Sequence, residues 1–467
     1  MSERKNSLAV QRIDALLDEN SFVELGSGIT SRNTDFNLDQ ANTPSDGVVT
    51  GHGLIDGNLV FVYSQDPEVC GGSIGEMHAK KITNIYRMAV KMGAPVIGIL
   101  DSTGVRLQES YDALEAIGSI YQEAVSASGV IPQIVAVYGK CGGGLSVLAG
   151  VSDFTFVSDK GSLFLNAPDA IPGNNKDAVN NADPKFQFEN TGIVDAIGTE
   201  DELSAKIREL VTILPGSNLE DGCYDECLDD LNRASEGLED KRLDPAAFAE
   251  EISDNHLFIE TKKAFAKSMT SGFIKLDGAT VGVVGNKEKC LKCDKEFSTE
   301  LTADAVRKAA DFVRFCDAFD IPVLTLTNVA GYEKSIAAEG ALPKALASFA
   351  AALASATVPK VNLITKEAFG TAYILMNSKS VGADLVLAYP DADMGIMDAA
   401  AASKIIAGDN SLAESFAETQ SGIGNAIRRG YIDRVVNFAD TRKYLIAGFE
   451  MLATKQVDEN YRKHSTK

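Results

Sequence analysis

The sequence predicts an α/β chain of two tandem ββα-type domains that arose by internal duplication. Three observations predict this. Pro95 and Pro132, each opening a β-branched run, recur as Pro322 and Pro359, each 227 positions later, so 37 residues separate the prolines in both halves. The gapless pairing continues through a small-residue turn, where Gly143 matches Gly370 and Gly144 matches Thr371. Farther on, Ser152-Asp153-Phe-Thr-Phe matches Ala383-Asp384-Leu-Val-Leu, and Gly192-Ile-Val-Asp195 matches Gly430-Tyr-Ile-Asp433. Punctuation shared by any duplicated fold accounts for the prolines, but less well for small residues kept at both turns.

In chain order, residues 8–25 read as an amphipathic helix ending near Asn20-Ser21, with a strand start at SFVEL. Residues 30–46 are polar and turn-rich. Gly47–Ile55 and Asn58–Ser64 alternate as strands around Asp56-Gly57, a hairpin signal. Gln65–Glu76 is a glycine-containing loop, and His78–Lys91 has helical spacing, with Ile82, Ile85, Met88 and Ala89 on one face. Pro95–Leu100 is a buried strand, 109–128 a helix and Gln133–Tyr138 a second buried strand. Short strands follow at Ser152–Val157 and Gly161–Asn166, then a helix at Thr199–Leu214. Residues 215–245 form an acidic connector, which places the domains at 1–230 and 231–467.

Bulk properties exclude several classes. A net charge of −22 over 467 residues argues against nucleic-acid binding, which needs basic surface. No run of about 18 apolar residues is read, so no membrane span is expected. The N-terminus has no apolar signal-peptide core, so none is expected, and the chain is placed in the cytoplasm. Seven cysteines without secretory features point to free thiols. Cys223-x3-Cys227 and Cys290-x2-Cys293 carry the donors of a four-thiolate zinc site, but 62 residues separate the pairs and their flanks lack a ribbon pattern, so no metal is expected. None of the four histidines forms a metal-binding pair.

Chemistry points to the turn Gly139-Lys-Cys-Gly-Gly-Gly144. It lies between a strand and a helix start, where unpaired backbone N–H groups and the positive end of a helix converge. Such a turn suits an oxyanion hole or a phosphate cradle. No Gly-x-Ser-x-Gly elbow, His-Glu-x-x-His, Walker A or GxGxxG signature occurs. Backbone donors without an evident acid or base suit a reaction whose reactants carry their own proton traffic, such as carboxyl transfer from N-carboxybiotin to an acyl-CoA thioester. Two turns then supply two holes.

SQDPEVCGGSIGEMHAKKI, GAPVIGILDSTGVRLQE, ASGVIPQIVAVYGKCGGG, VSDFTFV, FCDAFDIPVLTLTNVAGY and ATVPKVNLITKEAFGTAYILMNSK resemble the carboxyltransferase subunits of biotin-dependent acyl-CoA carboxylases and decarboxylases. The resemblance spans residues 8–455. It implies two crotonase-like domains and an active site shared between the N-domain of one subunit and the C-domain of its dimer mate. By motif, it gives Gly142, Gly143 and Gly144 to the thioester oxygen, and Gly370, Thr371 and Ala372 to the biotin carbonyl. Tyr373 and Ile374 would line the acyl and biotin pocket, Gly71, Gly72 and Ser73 form a glycine turn beside the substrate, and Lys80, Lys81 and Lys140 are candidates for CoA phosphates. The implied cofactor is biotin on a separate biotin carboxyl carrier protein, with a coenzyme A thioester as substrate. Implied partners are a biotin carboxylase or a membrane decarboxylase subunit, beside which the chain would sit peripherally, and further copies of the chain as a dimer or trimer of dimers.

The C-terminal half departs from the family pattern. Its usual Gly-Gly is Gly370-Thr371, and a β-branched residue resists positive φ, which predicts an altered biotin-side hole. Val-Pro-Gly-Phe reads Val329-Ala-Gly-Tyr332, the glycine-rich turn after it is EKSIAAEGALPK, and the motif at Met397-Asp398 lacks its glycines. Two alternatives stand beside carboxyl transfer: a non-catalytic scaffold paralogue, or a hydratase or isomerase using Glu109 or Glu367 as its carboxylate.

Overall fold

The computed structural model describes residues 7–32, 43–220, 224 and 226–457. The chain forms two compact units, Met1–Asp221 and Gly222–Lys467. The first contains strands β1 (Val23–Leu25), β2 (Val48–Ile55), β3 (Asn58–Gln65), β4 (Val96–Ser102), β5 (Gln133–Gly142), β6 (Phe154–Ser158), β7 (Ser162–Phe164) and β8 (Val194–Gly198). Its helices are α1 (Leu8–Leu16), α2 (Glu76–Met92), α3 (Ser110–Ala127), α4 (Leu145–Val151), α5 (Pro184–Asn190) and α6 (Glu200–Ile213). The sheet runs β1-β2-β3-β4-β5-β6-β8, with β7 paired to the end of β5. Pairs β1–β2 and β2–β3 are antiparallel and the others parallel. Asp56 and Gly57 have φ of 47° and 83°, the left-handed pair that a two-residue hairpin needs.

Helix α1 stops at Leu16, short of the expected end near Asn20. Asp18 explains this. Its N–H donates to the Leu54 carbonyl, and its carboxylate accepts the N–H groups of Asp56 and Gly57 at 3.0 Å each, so the chain must leave the helix to cap the β2–β3 turn. Arg208, then those two N–H groups, holds the Asp18 carboxyl below the usual carboxylate range.

The second unit contains α7 (Leu238–Lys241), α8 (Pro245–Ile252), β9 (Ile259–Thr261), β10 (Met269–Leu276), β11 (Ala279–Asn286), β12 (Lys289–Cys290), β13 (Lys295–Glu296), β14 (Glu300–Leu301) and α9 (Ala303–Ala318). After these come β15 (Val323–Val329), β16 (Gly331–Tyr332), α10 (Ile336–Ser355), β17 (Lys360–Phe369), α11 (Gly370–Leu375), β18 (Leu385–Ala388), β19 (Asp393–Gly395), α12 (Ala399–Ala407), α13 (Ala413–Gln420), α14 (Ile423–Arg428), β20 (Arg434–Val435) and α15 (Thr441–Leu452). Its sheet runs β9-β10-β11-β15-β17-β18-β20, with β19 paired to β17. This is the first unit's order, strand for strand.

The duplication extends to register. Val96 pairs with Gln133 as Val323 pairs with Lys360, and the break between Leu100 and Ser102 recurs 227 positions later between Thr327 and Val329. The matched aspartates explain the later motifs. Asp153 Oδ2 accepts the Gln133 N–H and Asp384 Oδ2 the Lys360 N–H, each at 2.8 Å. Asp195 and Asp433 accept the N–H groups of Thr155 and Val386 in the same way, also at 2.8 Å. Each carboxylate supplies the acceptor that a short parallel strand lacks at its end.

One expectation needs correction, and one helix bears on another. Cys290 and Cys293 are not free thiols but are bonded to each other at the β12–β13 turn, which removes both from a zinc site; Cys223 lies outside the described residues. Helix α10 is long and apolar enough by length and composition to cross a membrane, although Glu339 and Lys344 break its apolar run in the sequence. It packs on α9 and buries Leu342, Ala345, Phe349, Ala352 and Leu353.

Candidate active site

Strand β5 carries the chain to the first turn, and its three glycines do three different jobs. Gly142 ends the strand, where a Cβ would meet the Phe164 ring at 2.6 Å. Gly143 takes φ +61° and spends its N–H on the Phe164 carbonyl at 3.0 Å, so it makes the corner but offers no donor. Gly144 (φ −55°) is the N-cap of α4. Among the described residues, the N–H groups of Gly144 and Leu145 have no acceptor. The unpartnered pair at this turn is thus Gly144 and Leu145. Leu145 was not singled out in the sequence, although a helix starting there leaves its first N–H unpaired.

The second turn repeats this arrangement. Gly370, opposite Gly143 in the repeat, has φ +63° and starts α11. Thr371 and Ala372, opposite Gly144 and Leu145, also have N–H groups without an acceptor among the described residues. Thr371 is not among the residues with positive φ, which corrects the expected conflict with its β-branched side chain. The left-handed position belongs to Gly370, and Thr371 sits in the helical turn after it. The unusual motif at Met397-Asp398 is a helix start: Asp398 caps α12 by accepting the Ala401 N–H at 3.0 Å.

Gly370, Thr371, Tyr373, Ile374, Met394, Ile396 and Phe416 help line a cavity of about 630 Å³ in the second unit. Tyr373 is largely buried, and burial pushes its hydroxyl pKa up to about 12, so it stays protonated. Ala372 is buried beside it.

The other predicted site residues separate. Cys70, Gly71 and Gly72 are all left-handed (φ 51°, 65° and 65°), and a Cβ on Gly72 would sit 2.2 Å from the Asp101 carbonyl oxygen. Ser73 is buried, with Oγ and carbonyl both accepting from Arg106 (3.2 and 2.7 Å). The glycine turn therefore seats the end of β4. Lys81 is buried, its Nζ donating to the carbonyls of Ser45 and Val48, so it is not a surface cation for phosphates. Lys80 and Lys140 are exposed; Lys80 lines a charged cleft with Arg32, Glu76 and Arg87. Lys140 gives its N–H to Asp101 Oδ1 at 3.2 Å.

Glu109 is not a free carboxylate. It is buried, paired with Arg106 Nη1 at 2.9 Å and accepts the Glu76 N–H at 2.6 Å. Arg106 also binds Asp46 at 2.5 Å. Asp46 Oδ2 in turn accepts the His78 N–H at 2.7 Å, and burial raises the Asp46 carboxyl. His78 Nδ1 faces the Asp46 carbonyl at 2.9 Å and Nε2 faces Gln65 Nε2 at 3.2 Å, which fits a neutral ring protonated on Nδ1.

Burial lowers the His78 pKa to about 3. Between that value and the ordinary 6.5 the unfolded chain takes up a proton that the folded chain does not, so stability falls as pH drops through this window. The expected slope is up to about 1.4 kcal/mol per pH unit. Urea unfolding at pH 4 to 7 should show this slope in the native chain and a flatter one in His78→Asn; equal slopes would refute the assignment.

Each of the two repeated αβ units thus carries, after a left-handed glycine, the kind of small-residue turn that suits an oxyanion hole. The chain belongs to the carboxyl transferase domain family, whose model matches residues 2–466. It is 38% identical to a propionyl-CoA carboxylase beta chain of Roseobacter denitrificans, over 98% of this chain and 92% of that one. It is 35% identical to a methylmalonyl-CoA decarboxylase subunit alpha of Veillonella parvula, with the same coverage. The structure superposes on the transcarboxylase 12S hexamer core, solved with hydrolysed methylmalonyl-coenzyme A bound, at TM-score 0.93 and 31% identity, covering 100% of this chain and 93% of that one. The chain is a carboxyltransferase of the propionyl-CoA carboxylase and methylmalonyl-CoA decarboxylase type.

Proposed function

We propose that this chain is the carboxyltransferase subunit of a biotin-dependent complex, moving a carboxyl group between biotin on a carrier protein and the α-carbon of a short-chain acyl-CoA. The propionyl- and methylmalonyl-CoA pair is the favoured substrate, because the similar chains named above act on it. One observation carries the reading: each repeat presents amides without an acceptor among the described residues just after a left-handed glycine, Gly144 and Leu145 in one, Thr371 and Ala372 in the other.

Gly144 and Leu145 hold the thioester oxygen and stabilise it as removal of the α-proton loads it with charge. Thr371 and Ala372 hold the ring carbonyl of biotin. The second unit fits that group, since an apolar cavity walled by Tyr373, Ile374 and Phe416 suits a small bicycle and the free N–H groups suit its ring carbonyl. When bound, biotin supplies the nitrogen that carries the carboxyl group. Tyr373, kept protonated by burial, adds no charge to the wall. A carrier protein, a biotin carboxylase or membrane decarboxylase subunit, and further copies of this chain complete the proposed assembly. Glu109 is locked to Arg106, so no feature of that residue favours a hydratase.

The test is carboxyl exchange from labelled methylmalonyl-CoA to free biotin by the purified chain. Biotin-dependent label transfer is expected. Loss of label independent of biotin, or none with any short-chain malonyl thioester, would remove the proposal.

A further inference from the structure

Two of the side chains that set the second turn apart from the first meet in space. Tyr332, on β16, is fixed by the parallel pairing of that strand with β14, where Leu301 stands opposite it. Its hydroxyl donates to Thr371 Oγ1 at 3.0 Å. A phenol is the stronger acid of the two, which agrees with that direction. The Thr371 hydroxyl, having accepted from Tyr332, keeps its own proton, and no residue among those described accepts it. Thr371 is exposed and forms part of the cavity wall. The same residue also carries one of the two unpartnered amides. In the first turn the equivalent position is Gly144, which has no side-chain donor; there Tyr121 reaches the Gly144 carbonyl instead.

We propose that the Thr371 hydroxyl is a third donor of the second turn, aimed by Tyr332 at the urea-type carbonyl held by the Thr371 and Ala372 amides. It rests on the carboxyl-transfer reading for the identity of that ligand. Thr371 touches the substrate oxygen. Tyr332 acts through it as a positioning residue, and the two work as one unit.

The experiment uses the full chain and free biotin as probe, followed by calorimetry and by exchange kinetics with methylmalonyl-CoA. Thr371→Val keeps the branched shape but removes the hydroxyl; biotin binding should weaken about 3–10-fold. The exchange kcat should fall with it, while KM for the acyl-CoA and the melting curve hold. Thr371→Ser should restore binding to within about 2-fold. Tyr332→Phe should weaken binding less than Thr371→Val, and the double variant should match Thr371→Val alone, since coupled residues are not additive. Native binding by Thr371→Val, additive losses in the double variant, or no biotin binding by the native chain would each overturn the proposal. Native exchange with an unaffected Thr371→Val would refute the donor and leave carboxyl transfer standing. The expected binding pattern without exchange would do the reverse.

Discussion

A Gly143→Val chain is expected to fold and to lose carboxyl exchange by about 10²–10³-fold, the usual cost of removing an oxyanion donor. No heavy atom lies within 4 Å of a Cβ placed at 143, so the side chain meets open space. The strain is in the backbone: φ is +61°, and an L-residue pays about 1–2 kcal/mol there. The chain can relieve that strain by rotating the corner, which swings the Gly144 and Leu145 amides away from the thioester oxygen. Gly370→Val should do the same in the second unit, with the added conflict of an Ile396 carbonyl oxygen 3.2 Å from its Cβ. Exchange rates beside melting curves check both. A near-native rate in Gly143→Val would show that this turn does not position the donors.

The second large effect is on stability. Arg106 is 1% exposed and lies between Asp46 and Glu109, both 0% exposed at the side chain. Arg106→Met would leave two carboxylates facing each other without a cation, and removing one partner from a buried pair costs about 3–5 kcal/mol. The lesion would spread, because Arg106 also holds both ends of Ser73 and so the glycine turn under β4. Urea unfolding should show the loss. Adding Asp46→Asn and Glu109→Gln to Arg106→Met should recover much of it, since neutral amides no longer repel. If the single variant were as stable as the native chain, the cluster would not be structural.

The duplicated plan was legible because its marks are covalent or nearly so. Prolines cannot donate to a sheet, and both open a parallel strand; glycines at positive φ mark both corners. The hairpin at Asp56-Gly57 was legible for the same reason. What stayed hidden depends on partners far apart in sequence. Nothing local to GKCGGG says that Phe164 will consume the Gly143 N–H and leave the next unpartnered amides at Gly144 and Leu145. Lys80 and Lys81 are identical as letters, yet α2 turns one to solvent and the other under Ser45 and Val48. Thr371 looked damaging because a motif carries residue types and not torsions. Glu109 looked available until Arg106, three residues earlier, proved to be folded over it.

The equal spacing of the repeats holds from Pro95 to Gly144, but beyond it the offset grows to 231 at Asp153 and Asp384 and 238 at Asp195 and Asp433. The second repeat is therefore longer than the first both between its hairpin, where the offset is 221 at Asp56 and Asp277, and α9, where β12 and β13 stand, and downstream of its corner, where α12 and α13 stand. For protein engineering, this marks the Gly408–Leu412 connection as a place for a peptide tag or fluorophore, and the 37-residue stretch between prolines as one to leave uncut.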